Sequence, residues 1–260
     1  MRRKYKHPPV NEVVIGVYFK DPILAMRAEH VGLFWSVIKD DFPEAAQNVP
    51  IGAEIDISAS GEVFPLPRFW FMSENGIYLI QVQRNAFLLN WRQGGDAYPH
   101  YEAVKASFDR WLGVFMGFCE RQFGIARLDI ARCELNYVNL IGPVPPLFLT
   151  FADTEKAIPS YRALSIGPDR PARAFSLTYE YPIASDLALT VIMQSRKNQQ
   201  SGEDVIYLEL RTGGELQAQT DASLSGWFER AHDAIGDAFN ALTSETLQKE
   251  HWRFMTEESQ

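Results

Sequence analysis

Short motifs recur in the same order in the two halves of the chain, and this recurrence constrains the fold more than any other feature. The paired motifs stand about 120 to 130 residues apart, close to half of the 260-residue chain. Such an offset is typical of a duplicated unit, although any α+β protein with two meanders also produces three-residue matches by chance. The pairs are Asn11-Glu12-Val13 with Cys133-Glu134-Leu135, Ile77-Tyr78-Leu79 with Ile206-Tyr207-Leu208, and Phe108-Asp109-Arg110 with Phe228-Glu229-Arg230.

The first half of the chain has the pattern of a strand, a helix, an antiparallel meander and a long helix. The long helix is the clearest element, because its apolar residues form one stripe that stops at Gly124. Apolar alternation between Gly and Pro turns predicts the meander. The predicted elements are a strand at Asn11–Phe19, a helix at Leu24–Ile38, strands at Ala53–Ser58, Arg68–Met72, Ile77–Arg84 and Phe87–Trp91, and a helix at Tyr101–Phe123.

The second half repeats this order of elements. Strands are predicted at Cys133–Asn139, Arg173–Tyr181, Leu187–Gln194 and Val205–Arg211, and a helix at Leu224–Leu242. The sequence therefore predicts an α+β protein of two similar β-α-meander-α halves, residues 1–126 and 127–260. We expect the halves to pack tightly as one unit, with an antiparallel sheet on the two long helices.

Charge and hydropathy restrict the partners. Asp and Glu number 33 against 25 Lys and Arg, a formal net charge of −8, so the average field repels nucleic acid and anionic lipid. The basic cluster Arg2-Arg3-Lys4 with Lys6 is either a solvated arm, which we favour, or a nucleic-acid contact. No apolar stretch follows this cluster, as a signal peptide requires, and no run of about 18 apolar residues occurs. We expect a cytoplasmic protein without a membrane contact.

Cysteine and histidine usage indicates no metal or disulfide chemistry. The two cysteines, Cys119 and Cys133, lack CxxC spacing and are expected to be buried free thiols of a reducing compartment. The five histidines are scattered without metal-ligand spacing. Nucleotide-binding, metalloprotease, hydrolase-elbow and calcium-loop motifs are missing. We therefore predict no metal, no cofactor and no catalytic residue, and we favour a binding protein over an enzyme.

The segment from Ile77 to Tyr101 is the richest in unusual polar residues. Strand alternation places amide and guanidinium side chains on one face of the hairpin and apolar residues on the other, with Trp91 facing the core. This polar face is either a solvated sheet surface, the more common case, or a ligand- or partner-binding surface. The candidate residues are Gln81, Gln83, Arg84, Asn90, Arg92 and Tyr98.

Two glutamates occupy similar positions in the first predicted strand of each half. If the halves are related by pseudo-symmetry, Glu12 and Glu134 approach each other as a general acid/base pair requires. The alternative, which we favour, is that each carboxylate pairs with Arg84 or Arg132. Both glutamates are retained as candidate binding residues.

Five motifs are distributed along nearly the whole chain: Pro8-Pro9-Val10-Asn11-Glu12-Val13, Ile80 to Phe87, Asn90-Trp91-Arg92, Tyr98-Pro99-His100-Tyr101-Glu102 and Cys133 to Asn139. Together they resemble the motifs of a sporadically distributed, uncharacterised bacterial family of about this length. The resemblance implies no reaction, so no catalytic residue is transferred. The patchy distribution of the family is similar to that of mobile or defence-associated genes, which implies a partner protein encoded nearby.

The leading hypothesis is a non-catalytic cytosolic binding protein that acts through a polar sheet face or cleft. Its expected partner is another protein, or a second copy of the chain through self-association, in a stress or phage-defence setting. The alternative is an enzyme that uses Glu12, Arg84, Asn90 and Arg92 on a phosphate- or carboxylate-bearing small molecule, because the planar guanidinium fork suits such groups. Nucleic-acid binding ranks third.

Overall fold

A computed structural model shows a mixed α+β fold with a large antiparallel sheet and a few helices. It describes residues 3–51, 66–95, 97–164, 166–167, 172, 174–198 and 201–255. No helix among these residues is both long and apolar enough to cross a bilayer. The elements are β1 Lys4–Tyr5, β2 Val10–Phe19, α1 Ala28–Ile38, β3 Glu44–Asn48, β4 Arg68–Met72, β5 Tyr78–Gln83, β6 Ala86–Arg92, α2 His100–Phe123, β7 Ile130–Ile141, α3 Thr154–Ala157, β8 Ser176–Ala184, β9 Leu187–Lys197, β10 Asp204–Glu215, α4 Asp221–Leu242 and β11 Phe254–Met255.

The chain divides into two compact units that exchange short segments. The N-terminal unit comprises Val13–Glu134 and Glu215–Leu224. The C-terminal unit comprises Met1–Glu12, Leu135–Gly214 and Ser225–Gln260.

The sheet of the N-terminal unit has the strand order β3-β4-β5-β6-β2. The pairs β3–β4, β4–β5 and β5–β6 are antiparallel, and Trp70, Gln81 and Leu88 stand opposite one another across β4, β5 and β6. β5 and β6 are almost wholly buried along their length. Burial on both faces distinguishes these strands from the half-solvated strands of a simple antiparallel meander.

Aromatic rings join the helices of the N-terminal unit to its sheet. Phe115 on α2 lies 6.1 Å from Phe19, 5.2 Å from Phe34 and 5.3 Å from Phe87, measured between ring centroids. These residues come from β2, α1 and β6. The α2 helix ends at Gly124, whose φ of 68° is the left-handed conformation that glycine adopts without a Cβ clash, and whose N–H donates to the Glu120 carbonyl.

The sheet of the C-terminal unit has the strand order β8-β9-β10-β7. The pairs β8–β9 and β9–β10 are antiparallel over long, regular registers. A separate two-stranded sheet pairs β1 with β11. In β1, Tyr5 packs edge-on against Phe239 at 5.8 Å and Trp252 at 6.2 Å, which holds this small sheet on the end of α4.

The turn between β8 and β9 is fastened to α4 and β10 through Asp186. Arg230 donates two hydrogen bonds to the buried Asp186 carboxylate, at 3.1 and 2.6 Å, and the Trp227 indole donates to the Asp186 carbonyl at 3.0 Å. A Cβ on Gly214 would lie 2.0 Å from that carbonyl oxygen, which no side chain tolerates. Only glycine therefore allows β10 to approach the turn this closely.

The long helices predicted from the sequence are present, and most predicted strands agree with the structure within a few residues. The first helix begins at Ala28 rather than Leu24, and β3 was not predicted. The predicted strand Ala53–Ser58 lies outside the described residues. The motif pair at Ile77 and Ile206 falls on β5 and β10, which differ in their place in the strand order. The boundary between residues 126 and 127 stays a prediction.

Replacing Phe34 with alanine should destabilise the N-terminal unit. Phe34 is fully buried and its ring contacts Phe71, Phe115 and Phe118, so we expect a loss of about 3–5 kcal/mol in the free energy of unfolding. The neighbouring Leu33 is 48% exposed, and Leu33→Ala should change that free energy by about 0.5 kcal/mol or less. Urea denaturation of both variants tests this, and equal losses would contradict the packing.

Replacing Asp186 with asparagine should lower stability in a pH-dependent way. The hydrogen bonds from Arg230 hold the pKa of Asp186 below its ordinary value of 3.8. A lowered folded-state pKa stabilises the fold at higher pH, and this stabilisation is lost as the pH falls through that pKa. Asp186→Asn should therefore cost about 1.5–3 kcal/mol at pH 7, and the difference from wild type should shrink below about pH 4.

Denaturation curves from pH 7 to pH 3 measure this difference. The Arg230→Met background provides the control. Without the guanidinium, burial should raise the pKa of Asp186 instead of lowering it, so Asp186→Asn should no longer cost more stability at pH 7 than at low pH. A difference that stays constant with pH in the wild-type background would show that the ion pair does not stabilise the unit.

Candidate functional site

Strand alternation in the N-terminal unit separates an aromatic face from a polar face. Phe87 on β6 packs against Phe108 and Phe115 of α2, so the odd-numbered residues of β6 face the helix. Trp91 follows this phase and is 2% exposed. The even-numbered Asn90 lies on the opposite face, as does Gln81, which pairs with Leu88.

The polar face is buried rather than solvated at its centre. Gln81 and Asn90 are 5% and 4% exposed, and the Gln81 Nε2 donates to Asn90 Oδ1 at 2.6 Å. Gln83 exchanges two hydrogen bonds with the backbone of Ile51, at 2.9 and 3.1 Å, and so holds the segment after β3 against β5. The solvated-surface interpretation therefore does not describe these amides.

Trp70 on β4 stands directly opposite Gln81 and carries guanidinium groups over its ring. The Cζ atoms of Arg68 and Arg92 lie 5.4 and 5.2 Å from the indole centroid, within the range of cation–π attraction. Burial lowers the pKa of Arg68, and the nearby Tyr18 opposes that shift. The sequence analysis placed Arg92 on this face and missed Trp70 and Arg68.

Three polar atoms around Trp70 lack hydrogen-bond partners within the part of the chain that the structure describes. They are Trp70 Nε1 and Arg68 Nε, which are donors, and Gln81 Oε1, which is an acceptor. Leaving a buried donor or acceptor unpaired costs about 1–3 kcal/mol. The unpaired atoms lie on the cross-strand pair Trp70 and Gln81 and on the nearby Arg68. Their proximity indicates a site at which another molecule supplies the missing hydrogen-bond partners. We call Arg68, Trp70, Gln81 and Arg92 the Trp70 site.

Two other predicted residues of this unit have structural partners. Arg84 is buried in the turn between β5 and β6, where its Nε donates to the Met26 carbonyl at 3.0 Å. Tyr98 packs edge-on against Trp91, at 5.1 Å between ring centroids. Both contacts hold loops against the sheet.

The predicted glutamates lie on β2 and β7. Glu134 accepts hydrogen bonds from Arg132 at 2.7 Å and from the Tyr18 hydroxyl at 3.3 Å. The favoured pairing of Glu134 with Arg132 is therefore present. Glu12 is half-buried on β2. Its role in an acid/base pair stays a prediction.

The C-terminal unit contains a polar cluster that the sequence analysis missed. Glu209 on β10 is 5% exposed, and its carboxylate accepts hydrogen bonds from Asn136 at 2.9 Å, from Tyr207 at 2.6 Å and from Arg211. Burial and the adjacent carboxylate raise the pKa of Tyr207, over whose ring the Arg196 Cζ lies at 3.4 Å. The only sequence signal was that Glu209 interrupts an apolar run.

Residues that ligate metals do not gather at either cluster. Within the described ranges, no group of three or more His, Cys, Asp or Glu side chains could hold a metal ion. The Trp70 site offers guanidinium, indole and amide groups, which suit an anionic or hydrogen-bonding organic ligand better than a cation.

Comparison of the chain with protein-family models and with curated proteins finds no match. Among solved structures, DynU16, a protein of the dynemicin biosynthetic locus, is 12% identical with a TM-score of 0.24, over 89% of this chain and 96% of that one. The di-domain ARO/CYC StfQ from the steffimycin biosynthetic pathway is 10% identical with a TM-score of 0.15, over 88% and 97%. TM-scores this low carry no argument about fold or function.

The two buried cysteine thiols should be unreactive in the native protein. Burial raises the pKa of both Cys119 and Cys133 from 9.0 to about 12, which lowers the thiolate fraction at pH 8 by a factor of about a thousand. We expect a colorimetric thiol reagent to modify native protein far more slowly than denatured protein, and denatured, unreduced protein to yield both thiols. Rapid modification of the native protein, or no thiols after denaturation, would contradict this.

Proposed function

We propose that this chain is a non-catalytic, cytosolic binding protein that acts through the polar face of β4, β5 and β6. Its proposed partner is another protein, and the stress or phage-defence setting is the one that the sequence resemblance implies. The observation that carries the proposal is the Trp70 site, where buried donors and an acceptor have no partners among the residues that the structure describes, beside two guanidinium groups.

The chemistry of this face supports binding more than catalysis. A general acid or base needs a titratable group positioned to exchange a proton with a substrate. The Trp70 site presents arginine, indole and amide groups, which hold a ligand without exchanging protons near neutral pH. The enzyme hypothesis also used Arg84, whose Nε donates instead to a backbone carbonyl in a buried turn.

We also infer that the two units descend from one duplicated β-α-meander-α half. The order of elements supports this inference, because a first strand, a short helix, a meander and a long helix follow one another twice. The strand order supports it too, since β6 neighbours β2 and β10 neighbours β7, so the last meander strand lies beside the first strand in both units.

Replacing Arg92 with alanine should abolish partner binding while leaving the fold intact. The side chain is half-buried and stacks on Trp70 near the surface, so we expect a change of about 1 kcal/mol or less in the free energy of unfolding. Trp91→Ala, in contrast, should cost about 3–5 kcal/mol, because Trp91 is buried. Affinity capture from native cells and thermal unfolding, measured in parallel, test both expectations.

Arg110→Ala provides a matched control. Arg110 also stacks on a tryptophan, with its Cζ 4.4 Å from the Trp111 ring, but it lies on α2, away from the polar face. Arg110→Ala removes the same charge and the same kind of stacking, but the set of proteins captured by this variant should equal that captured by the wild type. Equal loss of capture in both arginine variants, or none in Arg92→Ala, would refute the proposed surface.

A further inference from the structure

We infer that the Trp70 site binds a carboxylate that has an amide N–H on the adjacent carbon, the arrangement found at the C-terminus of a peptide. This inference rests on the proposed function and names the chemistry that the partner presents. It follows from three properties of the site: the number of unpaired donors, the position of the unpaired acceptor, and the charge of Arg68.

The two unpaired donors call for an oxygen ligand. Trp70 Nε1 and Arg68 Nε are both buried, and neither has an acceptor within the described residues. A carboxylate has two oxygens and about four lone-pair positions, so it accepts from both donors at once. Hydrogen bonds from a guanidinium to a carboxylate are also roughly twice as strong as those between neutral groups.

The unpaired acceptor calls for a donor on the same ligand. Gln81 is more than nine-tenths buried, and its Nε2 is engaged by Asn90, which leaves Oε1 facing no donor in the described chain. Gln81 stands directly opposite Trp70, and such cross-strand residues have Cβ atoms about 4.5–5.5 Å apart. A ligand that satisfies both side chains should therefore carry an acceptor and a donor only a few bonds apart.

Charge distinguishes an anion from a trapped water molecule. A single water can accept from two donors and donate to Gln81 Oε1, so hydrogen-bond counting does not separate the two. Arg68, however, forms no ion pair with any described carboxylate, and burial already lowers its pKa. Water molecules only solvate that partly buried positive charge, whereas a carboxylate also neutralises it.

Hydrogen-bond counting also separates a peptide carboxylate from a simple carboxylate. Acetate ionised near neutral pH has no hydrogen to donate to Gln81 Oε1. Inorganic phosphate at that pH keeps a hydroxyl hydrogen and can donate, so phosphate is the competing ligand that the experiment must separate from a peptide. A peptide C-terminus has its last N–H one carbon away from the carboxylate and fills all three positions. Arg68 and Arg92, which cover the indole ring, are only partly buried, so we place the entry of the ligand at these two guanidinium groups.

Indole N–H resonances in ¹H–¹⁵N NMR spectra of the full-length protein test this inference. The chain has six tryptophans, so the Trp70 signal is assigned with the Trp70→Phe variant. The probes are acetyl-Ala-Ala-Gly with a free carboxylate, the same peptide with a C-terminal amide, acetate, and inorganic phosphate. We expect the free-carboxylate peptide to move the Trp70 signal saturably, with about tenfold higher affinity than acetate, and the amidated peptide to have no effect. The inference requires phosphate to bind more weakly than the free-carboxylate peptide.

Two variants assign the contacts. Gln81→Met removes the acceptor and should reduce the affinity for the free-carboxylate peptide to that for acetate, while acetate binding is kept. Arg68→Met, which leaves the buried amide pair in place, should abolish the response to both ligands. Arg110→Ala should change neither.

Four results would overturn the inference. Equal responses to the free and amidated peptides exclude the carboxylate, and equal affinities for acetate and the peptide exclude the donor. Phosphate that binds as tightly as the free-carboxylate peptide, or more tightly, shows a site for an inorganic anion. If no probe moves the Trp70 signal, the unpaired groups of the site are satisfied by a bound water molecule and not by a ligand. Capture of a partner by wild-type protein but not by Arg92→Ala, measured separately, tests the proposed function. If neither this capture nor the NMR response is observed, both the proposed function and this inference are overturned. If the capture is observed without the NMR response, only this inference is overturned.

Discussion

The packing of Phe115 against three other phenylalanines determines which side chains of the N-terminal sheet point toward α2 and which point away from it. Phe115 contacts Phe19 on β2, Phe34 on α1 and Phe87 on β6. Successive residues of a strand point to opposite faces, so burying Phe87 under α2 places Leu88 and Asn90 on the far side of the sheet. A one-residue slip of β6 would bring an amide into the aromatic core, and the position of the polar face therefore depends on this one cluster.

Burial of the far face is what makes its polar residues informative. On a sheet with one solvated face, Gln81 and Asn90 would hydrogen-bond to water and need no explanation. Here both are almost fully buried, and three polar atoms of the Trp70 site lack partners within the described residues. The aromatic core supplies the stability that offsets such unpaired atoms. Conflicts between local polarity and burial are expected mainly at functional sites.

The sequence predicted elements whose signals are local and missed those that depend on pairing. The α2 helix carries its own apolar stripe and its Gly124 stop signal, and Trp91 follows the alternation of β6. In contrast, β3 has the sequence Glu-Ala-Ala-Gln-Asn, which has no β-branched residue and becomes a strand only through its pairing with β4. Trp70 was predicted within a strand, but its place opposite Gln81 depends on a register that one strand does not specify.

The two polar clusters differ in whether a described carboxylate balances the charge of their guanidinium groups. In the C-terminal unit, the Glu209 carboxylate accepts from three donors, including a guanidinium that balances its charge. This network joins β7 to β10, although Asn136 Oδ1 has no hydrogen-bond partner among the described residues. In the N-terminal unit, the Trp70 site has two donors and one acceptor without partners in the described part of the chain, and no carboxylate described there pairs with Arg68. The C-terminal cluster thus contains a carboxylate that balances Arg211, whereas the charge of Arg68 is left for a ligand to balance. This contrast is why we assign binding to the N-terminal unit.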